Sequence, residues 1–88
     1  MTTRLQQTTN PEALHCGGTV TYRVVLGDRW VGWIGDGRPW RGWRYGSRRW
    51  WACWREEGDT AARWNSDLVH PTRRDALAAL LARINDDV

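Results

Sequence analysis

Between Thr19 and Arg55, residues that favour turns recur about every ten positions, and this spacing constrains the fold more than any other feature of the chain. Gly27-Asp28, then Gly35-Asp36-Gly37-Arg38-Pro39, then Gly46-Ser47 cut the segment into runs of strand length. Thr19 to Leu26 alternates, with Val20, Tyr22, Val24 and Leu26 on one side and Thr21 and Arg23 on the other. That is the period of a half-buried strand. The spacing predicts further strands over Arg29–Ile34, Trp40–Tyr45 and Arg48–Arg55, a turn over Glu56–Asp59, and a fifth strand over Ala62–Val69.

The C-terminal end changes period. Pro71 and Thr72, followed by Arg73-Arg74-Asp75, have the form of a capping box, with Thr72 as the N-cap. Leu77, Leu80, Leu81 and Ile84, with Val88 beyond, then fall on one helical stripe. The fold class is therefore α+β: an antiparallel meander of four or five strands with one C-terminal amphipathic helix on one face. At 88 residues it is one domain. Residues 1–18 read as a flexible or short-helical N-terminal segment, with a short helix opening at Asn10-Pro11-Glu12 and ending at Gly17-Gly18, and residues 19–88 as the sheet-plus-helix domain.

If each turn cluster closes its own hairpin, the registers assign every residue to a face. One face collects Val20, Tyr22, Val24, Leu26, Val31, Trp33, Trp43, Tyr45, Trp50, Ala52 and Trp54, interrupted only by Arg41 and Arg48, and is the expected core. The other collects Thr21, Arg23, Val25, Trp30, Gly32, Ile34, Trp40, Gly42, Arg44, Arg49, Trp51, Cys53 and Arg55. Seven of the eight tryptophans lie between Arg29 and Trp54, so the tryptophans divide between core and surface.

Charge is divided as well. From Val20 to Arg55 eight arginines stand against two aspartates, whereas from Glu56 to Val88 four arginines stand against seven acids. The Trp-rich half is the basic half, and such a surface attracts polyanions, acidic proteins or anionic membrane. All thirteen basic residues are arginine and the chain has no Phe; codon usage in a GC-rich genome accounts for both, but not for eight tryptophans. No apolar run is long enough to span a membrane, and the first ten residues lack the apolar core of a signal peptide, so the expected location is cytoplasmic.

In that compartment Cys16 and Cys53 are expected as free thiols. His15, Cys16, Cys53 and His70 do not match the spacing of a compact zinc site, and no phosphate-loop or dinucleotide fingerprint is present. The chain is expected to be no enzyme and to need no metal or cofactor. The candidate binding residues are Arg23, Trp30, Trp40, Arg44, Arg49, Trp51 and Arg55. Aromatic rings on a sheet stack with bases while guanidinium groups hold phosphates, so the expected partner is nucleic acid, DNA rather than RNA. Trp and Arg are also the residue types of protein hot spots. The alternative is a small regulator, antitoxin or host-factor inhibitor that grips a protein, or a second copy of itself, with the same face.

Two resemblances bear on these alternatives. The order of antiparallel strands followed by one helix resembles the plant AP2-type and phage-integrase amino-terminal DNA-binding domains. The residues that carry it are Tyr22-Arg23-Val24, Trp30-Val31-Gly32-Trp33-Ile34 and Pro71-Thr72-Arg73-Arg74-Asp75-Ala76. It implies a sheet that enters the major groove with exposed Arg and Trp. Tyr22 to Val25, Trp30 to Ile34 and Thr72 to Leu77 are also similar to antitoxins of the HicB type, which implies a protein partner.

Overall fold

The computed structural model describes residues 2–8 and 18–86. The helix expected at Asn10, and both His15 and Cys16, lie outside the described residues. Five strands, β1 (Thr3–Thr8), β2 (Thr21–Leu26), β3 (Arg29–Gly37), β4 (Arg49–Trp54) and β5 (Trp64–Asn65), form one antiparallel sheet in chain order. A single helix, α1 (Arg73–Asp86), packs on β4 and β3. The α+β meander with its C-terminal helix is thus the fold.

The helix stands where its sequence signals put it. The Thr72 hydroxyl accepts a hydrogen bond from the Asp75 amide at 3.1 Å, so the N-cap satisfies a donor the helix itself cannot. Ala76 and Leu80 are fully buried, and Leu77 and Ile84 pack beside them. They meet Val24, Val31, Ile34, Trp50, Ala52 and Trp54 from the sheet, and this cluster is the core.

Four expectations change. Thr3–Thr8, expected to be flexible, is an edge strand paired with β2 from Thr3 opposite Leu26 to Thr8 opposite Thr21. Its apolar signal is a single residue, Leu5, which packs against the core. Threonines suited to a pleated surface and the free edge of β2 supply the rest.

The second change is a β-bulge. Gly27, with φ at 63°, turns the β2–β3 hairpin and sets Leu26 opposite Arg29. Val25 then faces Trp30 but Val24 faces Gly32, so Val31 is the extra residue. Strict alternation would send Trp33 to the core and Ile34 outward. Beyond the bulge the order is inverted: Ile34 is fully buried under the helix, and Trp33 joins Trp30 on the opposite face. Gly32 permits this because a Cβ there would collide with the Cys53 carbonyl oxygen.

Third, Trp40–Tyr45 is not a sheet strand. β3 runs on through Gly35, Asp36 and Gly37 and pairs directly with β4, placing Gly32 opposite Trp54, Ile34 opposite Ala52 and Asp36 opposite Trp50. The two breaker clusters expected to close separate hairpins lie across from each other in one long hairpin. Its extension, residues 38–48, projects beyond the sheet as a finger. The fifth strand is shorter than expected, because between Asn65 and α1 the backbone meets β4 through Ser66 and a bridge from His70 to Trp50.

Candidate functional site

Two surfaces carry the basic and aromatic residues. The first is the sheet face away from α1. Register puts Arg4, Val25 and Trp30 in one row across it, Gln6, Arg23, Trp33 and Cys53 in the next, and Gly35 with Trp51 and Gly37 with Arg49 beyond. These strand positions include three arginines and no acid.

The bulge shapes its centre. Trp30 and Trp33 meet edge to face with ring centroids 5.2 Å apart, and the Arg23 guanidinium carbon lies 5.3 Å from both. A cation over two ring faces gains roughly 0.5–2 kcal/mol per ring, depending on how dry it is. The Trp30 indole nitrogen donates to the Gly32 carbonyl at 3.0 Å, fixing the ring. Next to this cluster the Trp51 indole covers Gly35, where any Cβ would collide with it. Among the described residues, Arg23 Nε and Thr21 Oγ1 are buried without a hydrogen-bond partner. A buried donor left unpaired costs about 1–3 kcal/mol, so this face carries polar capacity that the fold does not use.

The second surface is the finger. Trp40 and Tyr45 pair as an isolated bridge, the Arg41 amide donates to the Arg44 carbonyl at 2.8 Å, and the Gly46 amide donates to the Pro39 carbonyl at 2.7 Å. The tip is Gly42-Trp43, and Gly42 has φ at 96°, a conformation that glycine adopts without strain. Trp43 is 74% exposed, Trp40 59% and Tyr45 53%. The expected core positions of Trp43 and Tyr45 are therefore corrected: both are on the surface, because their limb never joins the sheet. Arg44 stands over the Trp43 ring at 4.6 Å, and Trp40 meets Tyr45 edge to face at 5.1 Å.

The base of the finger is closed by one carboxylate. Asp36, 2% exposed, accepts hydrogen bonds from the Thr19 amide and hydroxyl, the Val20 amide and Arg48 Nε, at 2.6 to 2.8 Å. Burial alone would raise its pKa. The hydrogen bonds from Thr19, Val20 and Arg48 outweigh burial and hold it below the ordinary carboxylate value. Arg48 also lies over Trp50, at 4.8 Å, so one guanidinium ties the finger to both the carboxylate and the core.

The seven residues singled out from sequence are therefore in two places. Arg23, Trp30, Arg49 and Trp51 share the open face. Arg55 follows β4, its Nε donating to the Asp59 carbonyl at 3.3 Å. Trp40 and Arg44 are in the finger. Sequence reasoning placed Trp33, Trp43, Arg41 and Arg48 on the core face and Arg38 in a loop; Trp33 lies instead on the open face and the other four in the finger. The absence of any acid between Gly37 and Arg55 was the available signal for those arginines.

Two acids of the β4–β5 turn, Glu56 and Asp59, are engaged. Arg63 binds Glu56 at 3.1 Å and Asp59 at 2.9 Å, and Arg29 reaches Glu56 at 3.3 Å. Burial raises the Cys53 thiol pKa, and nearby Arg55 only partly offsets this, so the thiol stays protonated at neutral pH. Among the described residues, no three His, Cys, Asp or Glu side chains gather as metal ligands, and no helix is long and apolar enough to cross a membrane. No family model, curated protein or solved structure matches the chain.

Proposed function

We propose that this protein binds nucleic acid, DNA in preference to RNA, through the open sheet face and the finger. The observation that carries the proposal is the run from Gly37 to Arg55, which has six arginines and no acid: Arg38, Arg41 and Arg44 stand on the exposed finger with Trp40 and Trp43, and Arg49 lies with Trp51 on the sheet face away from α1, while Trp50 and Trp54 belong to the core. Guanidinium groups on such a surface release counterions from phosphates, and exposed indoles offer stacking faces. Arg49 and Arg55, together with Arg38, Arg41 and Arg44, hold the backbone, while Trp30 and Trp51 line the face and Trp40 stands in the finger. A cytoplasmic setting accompanies this reading.

The test is a binding titration with labelled DNA and RNA, comparing Arg49→Gln and Arg55→Gln with Arg83→Gln, which changes the helix on the other side of the sheet. The first two should weaken binding to every sequence and flatten its salt dependence by ~0.7–0.9 in logarithmic slope for each phosphate no longer neutralised. Equal binding by all three variants would remove the sheet face from the interface. The exposed Trp and Tyr of the finger favour one rival, a protein-interaction module. It predicts association that persists at high salt and includes a dimer joined through these rings.

A further inference from the structure

The tip of the finger has a construction of its own. Gly42 supplies a φ of 96°, and Trp43 follows it at the outermost point of the hairpin. No other large apolar side chain among the described residues is as exposed as Trp43, at 74%. An indole held out this far forgoes the burial that normally retains a tryptophan, and its ring is in contact with a charge rather than with the core. That charge is Arg44, whose guanidinium carbon lies 4.6 Å from the ring centroid. A guanidinium so placed keeps donors for a second partner, because the cation–π contact uses the face of the ion and not its N–H groups.

The surroundings narrow the occupant. Arg38, Arg41, Arg44 and Arg48 are the finger's charged residues, so a partner here is polyanionic. Asp36, at the base, is paired with Arg48 at 2.8 Å, so these two charges offset each other and Arg38, Arg41 and Arg44 carry the net positive charge toward the tip. The returning limb of the finger is tied to β3 by the Asp36–Arg48 ion pair at 2.8 Å, and the two limbs are tied to each other by the Trp40–Tyr45 bridge. The tip is therefore presented on a fixed support and not on a loose loop.

We infer that Trp43 and Arg44 form a single-nucleotide site: the indole stacks on an unpaired base and the guanidinium holds the adjacent phosphate. The inference rests on the nucleic-acid reading of the protein and adds which part of the polymer the finger takes. Single strands and unpaired positions expose base faces, whereas a regular duplex offers its base faces only after unstacking, which costs a few kcal/mol per step. The finger thus discriminates for unpaired nucleotides, while the arginines of the sheet face bind single and double strands alike.

The experiment uses the intact protein and oligonucleotides carrying one 2-aminopurine, because eight tryptophans make the protein's own fluorescence unspecific. Single-stranded DNA, the matched duplex, and a duplex with one unpaired 2-aminopurine are titrated with wild type, Trp43→Ala, Trp43→Phe and Arg49→Gln. The expected result is quenching of the unpaired 2-aminopurine by wild type. Trp43→Ala should lose that quenching and about tenfold in single-strand affinity with little change on the matched duplex, and Trp43→Phe should restore part of both. Arg49→Gln should weaken all three ligands and keep the quenching. If nucleic acid binds but Trp43→Ala matches wild type in affinity and quenching, the single-nucleotide site is overturned and the general reading stands. If no ligand binds even at low salt, both fall. A Trp43→Ala defect seen only in partitioning to anionic vesicles, or only in self-association, likewise overturns the nucleotide site.

Discussion

At the scale of single residues, Asp36 links fold and finger. It replaces lost hydration with four hydrogen bonds, one from the Arg48 guanidinium. Asp36→Asn should destabilise the protein by about 1.5–3 kcal/mol at neutral pH, the range for hydrogen bonds to a charged group. A urea midpoint shift at unchanged m would show it. The pH dependence has a definite sign. The folded-state pKa is below the ordinary 3.8, so the carboxylate's contribution is complete above that value and is lost as pH falls through the folded-state pKa. Wild type and Asp36→Asn should therefore converge in stability in strong acid and diverge above it. Gly35 is a second such position. Gly35→Ala displaces the Trp51 indole and should cost roughly 1–3 kcal/mol, read by the same denaturation.

At the scale of elements, the parts differ in how far their own sequence determines them. The helix was legible because its cap and its stripe are local: Thr72, Asp75, Leu77, Leu80 and Ile84 lie within four turns, although Ala76, outside the expected stripe, is as fully buried as Leu80. Thr72→Ala should accordingly lower stability by about 1 kcal/mol, seen as a reduced melting temperature. The faces of β2 and β4 were also legible, since Val24, Trp50, Ala52 and Trp54 keep strict alternation. β3 was not, because its bulge at Val31 depends on the close approach of the Cys53 carbonyl to Gly32, a contact that spans strands. That one residue moves Trp33 and Ile34 to opposite faces. The finger was hidden for a related reason. Gly35-Asp36-Gly37 reads as a loop until Asp36 has its partners from Thr19, Val20 and Arg48, and only then does the strand continue. Of the candidate residues, those on β2 and β4 kept their expected face, while Trp40 and Arg44 moved to the finger. The finger packs little on the core, so replacing residues 39–46 by a short glycine-containing turn should leave the melting temperature within a few degrees of wild type. Loss of single-strand preference should accompany it.

At the scale of the whole molecule, the sheet divides the labour. One face is dry and covered by α1, and holds the core. The opposite face and the finger hold Arg4, Arg23, Arg38, Arg41, Arg44 and Arg49 and most of the exposed aromatic rings, and two acids of the β4–β5 turn, Glu56 and Asp59, are paired with Arg63 and Arg29. This segregation is what gives a chain of net charge +3 a locally much more positive surface. Binding of nucleic acid by this surface, as we propose, is probed through its electrostatic component. The measurement is a titration of labelled single-stranded and duplex DNA with the intact protein at two salt concentrations. The expected result is tight binding at low salt, with log affinity falling steeply and linearly in log salt as several phosphates are neutralised. Absence of binding at low salt, or an affinity indifferent to salt, would contradict it.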